Sequence, residues 1–181
     1  LNFCTVDLSA FYFDIRKDNL YCDPIDTEKR KSTILLLNII LNALLKWFAP
    51  IISFTTEEIF KLLFKDKKSI HLEKFIEFPE KFKNEKLSKK WIELIKIRDI
   101  CNISIEEKRA SKEIGSSLEA DLKIQLNQKL KKLTENTDFS ELCITSKAVV
   151  SYEDDIETTA LTTKAKGSKC SICWKIKETA C

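Results

Sequence analysis

Ile34-Leu35-Leu36-Leu37-Asn38-Ile39-Ile40-Leu41-Asn42-Ala43-Leu44-Leu45-Lys46-Trp47-Phe48-Ala49-Pro50 is the stretch on which the fold turns. Preceded by Lys29, Arg30 and Lys31, it has the look of a signal anchor or membrane span. Asn38, Asn42 and Lys46, however, recur every four residues and would fall in one narrow stripe along a helix. That spacing predicts a core helix of a soluble bundle, ended by Pro50. The expectation is therefore a mainly α protein with no membrane association.

The flanking sequence agrees. Upstream, Leu8, Phe11, Tyr12 and Ile15 predict an amphipathic helix over residues 8–21, with Asp14, Arg16, Lys17 and Asp18 mostly opposite. Asp23 with Pro24 reads as the N-terminus of the long helix, and Thr55 with Glu58 reads as a capping box opening a third. Leu87, Trp91, Leu94, Ile95, Ile97, Ile100 and Ile103, with charges between them, predict a fourth helix from Lys86 to about Ile114, stopped at Gly115. The chain has only 2 Gly and 3 Pro in 181 residues, which favours long helices over a turn-rich β architecture.

Beyond residue 118 the pattern changes. Leu122, Ile124 and Leu126 alternate with polar residues as in a strand, residues 128–134 read as helical, and residues 143–152 and 160–166 are β-prone. Three regions are expected: a helical bundle over 1–118, a small α+β unit over 119–166 and a cysteine-bearing tail over 167–181.

The formal charge of +3 is unevenly spread. Residues 81–133 carry 14 basic and 8 acidic groups, whereas residues 134–158 carry 1 and 7. A basic block either attracts a polyanion by counterion release or forms a solvated lysine-rich face. Arg109 and Lys112, near the end of the fourth helix, are candidates to hold a phosphate backbone, as are Arg16 and Lys17 at the end of the first.

Seven cysteines form an odd set, and the chain start lacks the pattern of a secretory signal, so a reducing cytoplasm fits best. Cys170-Ser171-Ile172-Cys173-Trp174, followed by Cys181, has the spacing of a zinc knuckle short of one ligand; a redox pair is the alternative. Residue 1 is Leu and Cys181 stands as an unfinished ligand, so a portion of a longer protein is expected. Cys4, Cys22, Cys101 and Cys143 read as small apolar residues, and His71 as structural. Trp174 and Lys175 would serve either to pack the knuckle or to stack and hold an unpaired base. No phosphate loop, nucleophile elbow or paired-carboxylate arrangement is visible, so catalysis is not encoded in these residues.

The order of the motifs adds a resemblance. Asn2-Phe3-Cys4, Asp7-Leu8-Ser9-Ala10-Phe11-Tyr12-Phe13-Asp14 and Arg16-Lys17-Asp18 resemble the opening of the anticodon-binding helical domain of bacterial isoleucyl-tRNA synthetases. Trp47-Phe48-Ala49-Pro50 with Phe54-Thr55-Thr56-Glu57-Glu58-Ile59, then Ser69-Ile70-His71-Leu72, then Lys108-Arg109-Ala110-Ser111-Lys112-Glu113-Ile114-Gly115-Ser116-Ser117-Leu118-Glu119-Ala120, follow in the same order. The Pro50-to-Glu58 block is shared with the valyl and leucyl relatives. The Ile114-to-Ala120 block and the terminal cysteines point to the isoleucyl branch.

The resemblance implies a class I synthetase helical bundle, a small α+β unit and a truncated zinc ribbon. It also implies a grip on the anticodon arm of isoleucine tRNA and a continuous link to upstream domains of the same polypeptide. In that family the upstream domains use ATP and Mg to attach isoleucine and edit valine; signatures of the His-Ile-Gly-His and Lys-Met-Ser-Lys-Ser kinds are absent here. A cytoplasmic monomer is implied. The other readings are a freestanding zinc-ribbon module and a piece of a valyl or leucyl enzyme.

Overall fold

The computed structural model describes residues 2–178. The chain forms two compact units, residues 19–83 and residues 1–18 together with 84–181. These cut across the division expected at residue 118, because the long fourth helix belongs with the strands that follow it.

A helical segment with wide π-type turns, Phe3–Phe13, runs into α1 (Asp14–Tyr21), whose residues 14–18 belong to the larger unit. The helix thus begins five residues before the expected Leu8. Helix α4 (Glu85–Ala110) is capped by Asn84, whose Oδ1 accepts from the Leu87 N–H at 2.9 Å. Its buried residues Leu94, Ile97, Cys101 and Ile105 recur at three- and four-residue steps, giving the single apolar stripe of a helix on a sheet.

The sheet has the order β2–β1–β3, with β1 (Ala120–Asn127) central, parallel to β2 (Lys147–Glu153) and antiparallel to β3 (Thr159–Lys164). Strand period two sends Ala120, Leu122, Ile124 and Leu126 to one buried face. Each of the three larger side chains contributes about 1.5–3 kcal/mol by leaving water. Helix α4 packs on β3 and β1. The parallel β1–β2 crossover carries α5 (Lys131–Thr134), whose Leu133 packs partly buried against the same core, and α6 (Phe139–Leu142), which adds Phe139 and Leu142 to it.

The strand expected over 143–152 is confined to its second half. Asp138 Oδ1 accepts from the N–H groups of Ser140 and Glu141, which starts α6 and keeps Cys143 and Ile144 at its end. Cys101 and Cys143 are buried as expected, and contact with Cys101 together with burial pushes the Cys143 thiol far up, so it stays protonated. Cys4 and Cys22 are half-buried.

The smaller unit consists of α2 (Glu28–Phe48), α3 (Ser53–Leu63) and the turn Ile70–Leu72, around Leu45, Ala49, Phe60 and Ile70. Two helix starts differ from expectation. The Asp23 carboxylate accepts from Asn19 Nδ2 at 2.9 Å rather than capping a helix, so α2 begins at Glu28. Helix α3 is under way by Ser53, and the Thr56 hydroxyl donates to the Ile52 carbonyl, so Thr55 lies inside the helix and caps nothing. His71 is exposed, and its N–H donates to Ser69 Oγ at 3.2 Å.

The polar stripe of α2 does not face outward as a unit. Lys46 is largely buried and paired with Glu73 at 3.2 Å, and Asn42 carries a buried Oδ1 with no partner in the structure. Ile34, Leu35 and Leu36 are exposed instead. By length and composition α2 is long and apolar enough to cross a membrane.

Candidate nucleic-acid interface

The end of α4 is shaped by a residue that is not glycine. After Ala110 the Lys112 N–H bonds to the Arg109 carbonyl at 3.0 Å and the Glu113 N–H to the Lys108 carbonyl at 3.1 Å, the paired bonds of a Schellman ending. This ending places Lys112 at φ 59°, the left-handed conformation usually given to glycine. The helix therefore ends before the expected Ile114, and Lys112 swings off its axis.

The result is a cleft of about 480 Å³ lined by Arg109 and Lys112, with Glu106, Ile114 and Gly115 as neighbours. Structure thus brings together the two cations that the sequence placed on adjacent turns. Arg109 Nη1 donates to Glu106 Oε1 at 2.6 Å, leaving the other guanidinium donors for a ligand. The Gly115 N–H donates to Glu119 Oε2 at 3.0 Å, which fixes the far lip.

Arg16 and Lys17 do not line this cleft. Arg16 donates to Glu141 at 2.7 Å and Lys17 to Asp14 at 2.8 Å.

The tail is a hairpin of β4 (Ser168–Lys169) and β5 (Ile176–Lys177). Its turn is closed by Trp174 N–H to the Cys170 carbonyl at 3.1 Å and Cys170 N–H to the Lys175 carbonyl at 2.9 Å. The Ile172 N–H donates to Cys170 Sγ at 3.4 Å. Cys170 and Cys173, both on this turn, could supply two of the four ligands of a tetrahedral zinc site. Cys181 lies outside the described residues, among which no group of three metal-ligating side chains occurs.

Trp174, at φ 62°, is 59% exposed, with Lys169 Nζ 5.2 Å from its ring centroid. The ring is therefore not consumed in packing the knuckle. The hairpin is tied to the sheet unit by Ser146, whose Oγ accepts from the Ile176 N–H at 2.6 Å and donates to the Leu118 carbonyl. Nothing in the local sequence of Ser146 signals this anchor, which depends on a partner thirty positions away.

Residues 1–141 match the family model described as the anticodon-binding domain of tRNA ligase. Over all 181 residues the chain is 65% identical to an isoleucine–tRNA ligase of Pelagibacter ubique, covering 20% of that protein. It is 37% identical to the isoleucine–tRNA ligase of Bartonella henselae and 36% identical to that of Agrobacterium fabrum, in each case over 97% of this chain and 19% of the relative. The chain thus spans about a fifth of the length of the curated relatives it matches. With the match covering most of its length, and with a basic cleft at the end of its longest helix, the chain belongs to the family of anticodon-binding domains of tRNA ligases.

Proposed function

We propose that this chain is the tRNA-gripping part of an isoleucine–tRNA ligase. The observation that carries the reading is the cleft between Arg109 and Lys112, in a stretch that falls within the family match. Lys112 supplies a point charge and Arg109 a planar fork, the two cation types that hold phosphate oxygens. Such contacts set position, while unpaired bases of an RNA loop are read by stacking and by their edges. Trp174 offers a solvent-facing ring for that stacking and Lys175 a neighbouring charge. Arg16 and Lys17, which already hold carboxylates of this chain, take a secondary part.

Cys170 and Cys173, with Cys181, would hold a zinc ion that fixes the knuckle and so the place of Trp174. The attachment of isoleucine with ATP and Mg, and the editing of valine, belong to upstream domains of the same polypeptide. The whole protein is read as a cytoplasmic monomer.

Filter binding of isoleucine tRNA and valine tRNA tests the assignment. Tighter retention of isoleucine tRNA, lost in Arg109→Gln with Lys112→Gln, is the expected result. Equal weak binding of both would overturn the isoleucine specificity, and no binding of either would overturn the RNA-gripping role.

A further inference from the structure

Helix α4 carries a second basic site at its other end. Lys86, Lys89 and Lys90 in its first turns face Lys132 of α5 around a cavity of about 830 Å³, all within the larger unit. We propose that this lysine-rimmed cavity is a second docking site for the phosphodiester backbone of the same RNA. The inference rests on the RNA-binding reading of the first cleft and extends it.

Three observations favour a polyanion. First, none of these four lysines makes an ion pair among the described residues. Elsewhere on α4 Lys96 pairs with Glu93, Lys108 with Glu113 and Arg109 with Glu106, while Arg98 donates to the Leu142 carbonyl. Second, Lys86 stands three and four positions before Lys89 and Lys90, so like charges share one helix face and repel until a counter-charge arrives. Third, Glu93, the one carboxylate on the cavity wall, is already engaged by Lys96.

The chemistry also says how the ligand is held. Asn84 Oδ1 already accepts from the Leu87 N–H, so that donor is taken and the charged donors on the cavity wall are the lysine ammonium groups. Ammonium groups are point charges without the fork that reads a base edge, so the site senses backbone and not sequence. Leu87 and Leu133 form an apolar wall against which a sugar can rest. From Lys86 to Arg109 the helix rises roughly 35 Å, so one RNA touching both clefts must present phosphates over that span.

The test is an anisotropy titration of labelled isoleucine tRNA with the 181-residue chain across a range of salt concentrations. Lys86→Gln, Lys90→Gln and Lys132→Gln combined should weaken binding at least about tenfold and flatten the slope of log affinity against log salt by roughly 2–3, close to one for each phosphate no longer neutralised. Arginine at the same three positions should restore both, and far-UV circular dichroism and Tm should match the unsubstituted chain. A control with equal charge loss in the smaller unit, Lys65→Gln, Lys68→Gln and Lys74→Gln, should leave the slope within about one of the original.

Unchanged binding in the cavity variant, with binding still lost in Arg109→Gln plus Lys112→Gln, overturns the second site and leaves the first standing. An equal loss in the control variant overturns it as a general charge effect. Failure of the unsubstituted chain to bind RNA overturns both sites together. Saturable uptake of inorganic phosphate that leaves RNA binding untouched also overturns the proposal.

Discussion

Arg16 Nη1 donates to Glu141 Oε1 at 2.7 Å, joining residues 125 positions apart in the chain. The first helix is thereby tied to α6, and both side chains are mostly shielded, at 31% and 19% exposure. A cation that the sequence offered as a phosphate ligand is thus engaged inside its own unit. Its partner Glu141 owes its place to the Asp138 cap that starts α6.

Glu141→Gln should lower unfolding free energy by about 1 kcal/mol, the scale of a part-shielded charged hydrogen bond. Affinity for tRNA should stay within about twofold, since Arg16 takes only a secondary part. Denaturant melts and anisotropy on one preparation check both. A marked rise in RNA affinity on releasing Arg16 would show it to be a phosphate ligand held in reserve.

Lys112 sits in the left-handed region at φ 59°. A lysine there carries a steric cost that glycine lacks. Lys112→Gly should therefore raise stability by about 0.5–1 kcal/mol while weakening RNA binding, a split that simple unfolding cannot produce. Lys112→Asn, which also tolerates this conformation, should share the gain in part. Equal RNA affinity in wild type and Lys112→Gly would remove Lys112 from the interface.

Much of this was legible in the sequence because it is local. The alternation Leu122, Ile124, Leu126 repeats at the strand period and forms its strand where expected, and the fourth helix starts where expected but stops at Ala110 and buries Leu94, Ile97, Cys101 and Ile105, while Leu87, Ile95 and Ile103 of the expected apolar pattern are exposed. What could not be read depends on distant partners. The Ser104 hydroxyl lies 2.8 Å from Thr162 Oγ1 and accepts from the Thr162 N–H at 3.1 Å, so α4 is held to β3 by residues 58 positions apart. That link places α4 with the sheet and moves the unit boundary away from residue 118. Arg109 and Lys112 were visible as a pair of charges, but their shared cleft depends on Lys112 leaving the helix. The lysines of the second cavity were visible only as a basic block, since Lys132 joins them through the fold.

Glu57 in the smaller unit accepts from the Ile70 N–H and from Ser69 Oγ, both at 2.9 Å, and pairs with Lys61 at 3.0 Å. The Ile70 N–H above all, with Lys61 and Ser69, lowers its pKa from 4.5 to about 2. Because the folded value is depressed, the stabilisation is present above pH 4.5 and is lost as pH falls toward 2. Glu57→Gln should therefore flatten the acid limb of the Tm-against-pH curve across that window, with a lower plateau at neutral pH. An unchanged acid limb would mean the carboxylate is equally bound in the unfolded chain.

In the tail, backbone geometry and metal chemistry are joined at Gly167. This residue has φ +129°, and a Cβ built on it would collide with the Lys177 carbonyl across the hairpin. Gly167→Ala must then separate β4 from β5 and loosen the turn that holds Cys170 and Cys173. With Cys170, Cys173 and Cys181 as ligands a zinc ion would be one short of a tetrahedral thiolate set, so zinc should bind this chain at well below one per molecule, and adding a fourth cysteine after Cys181 should raise it to about one. In the form with the added cysteine Gly167→Ala should weaken zinc binding by about tenfold or more, and Cys173→Ser should abolish it. Cobalt substitution reads this directly, through the thiolate-to-metal absorption of a tetrahedral site. Full zinc occupancy without the fourth cysteine would show that a ligand other than a cysteine completes the site.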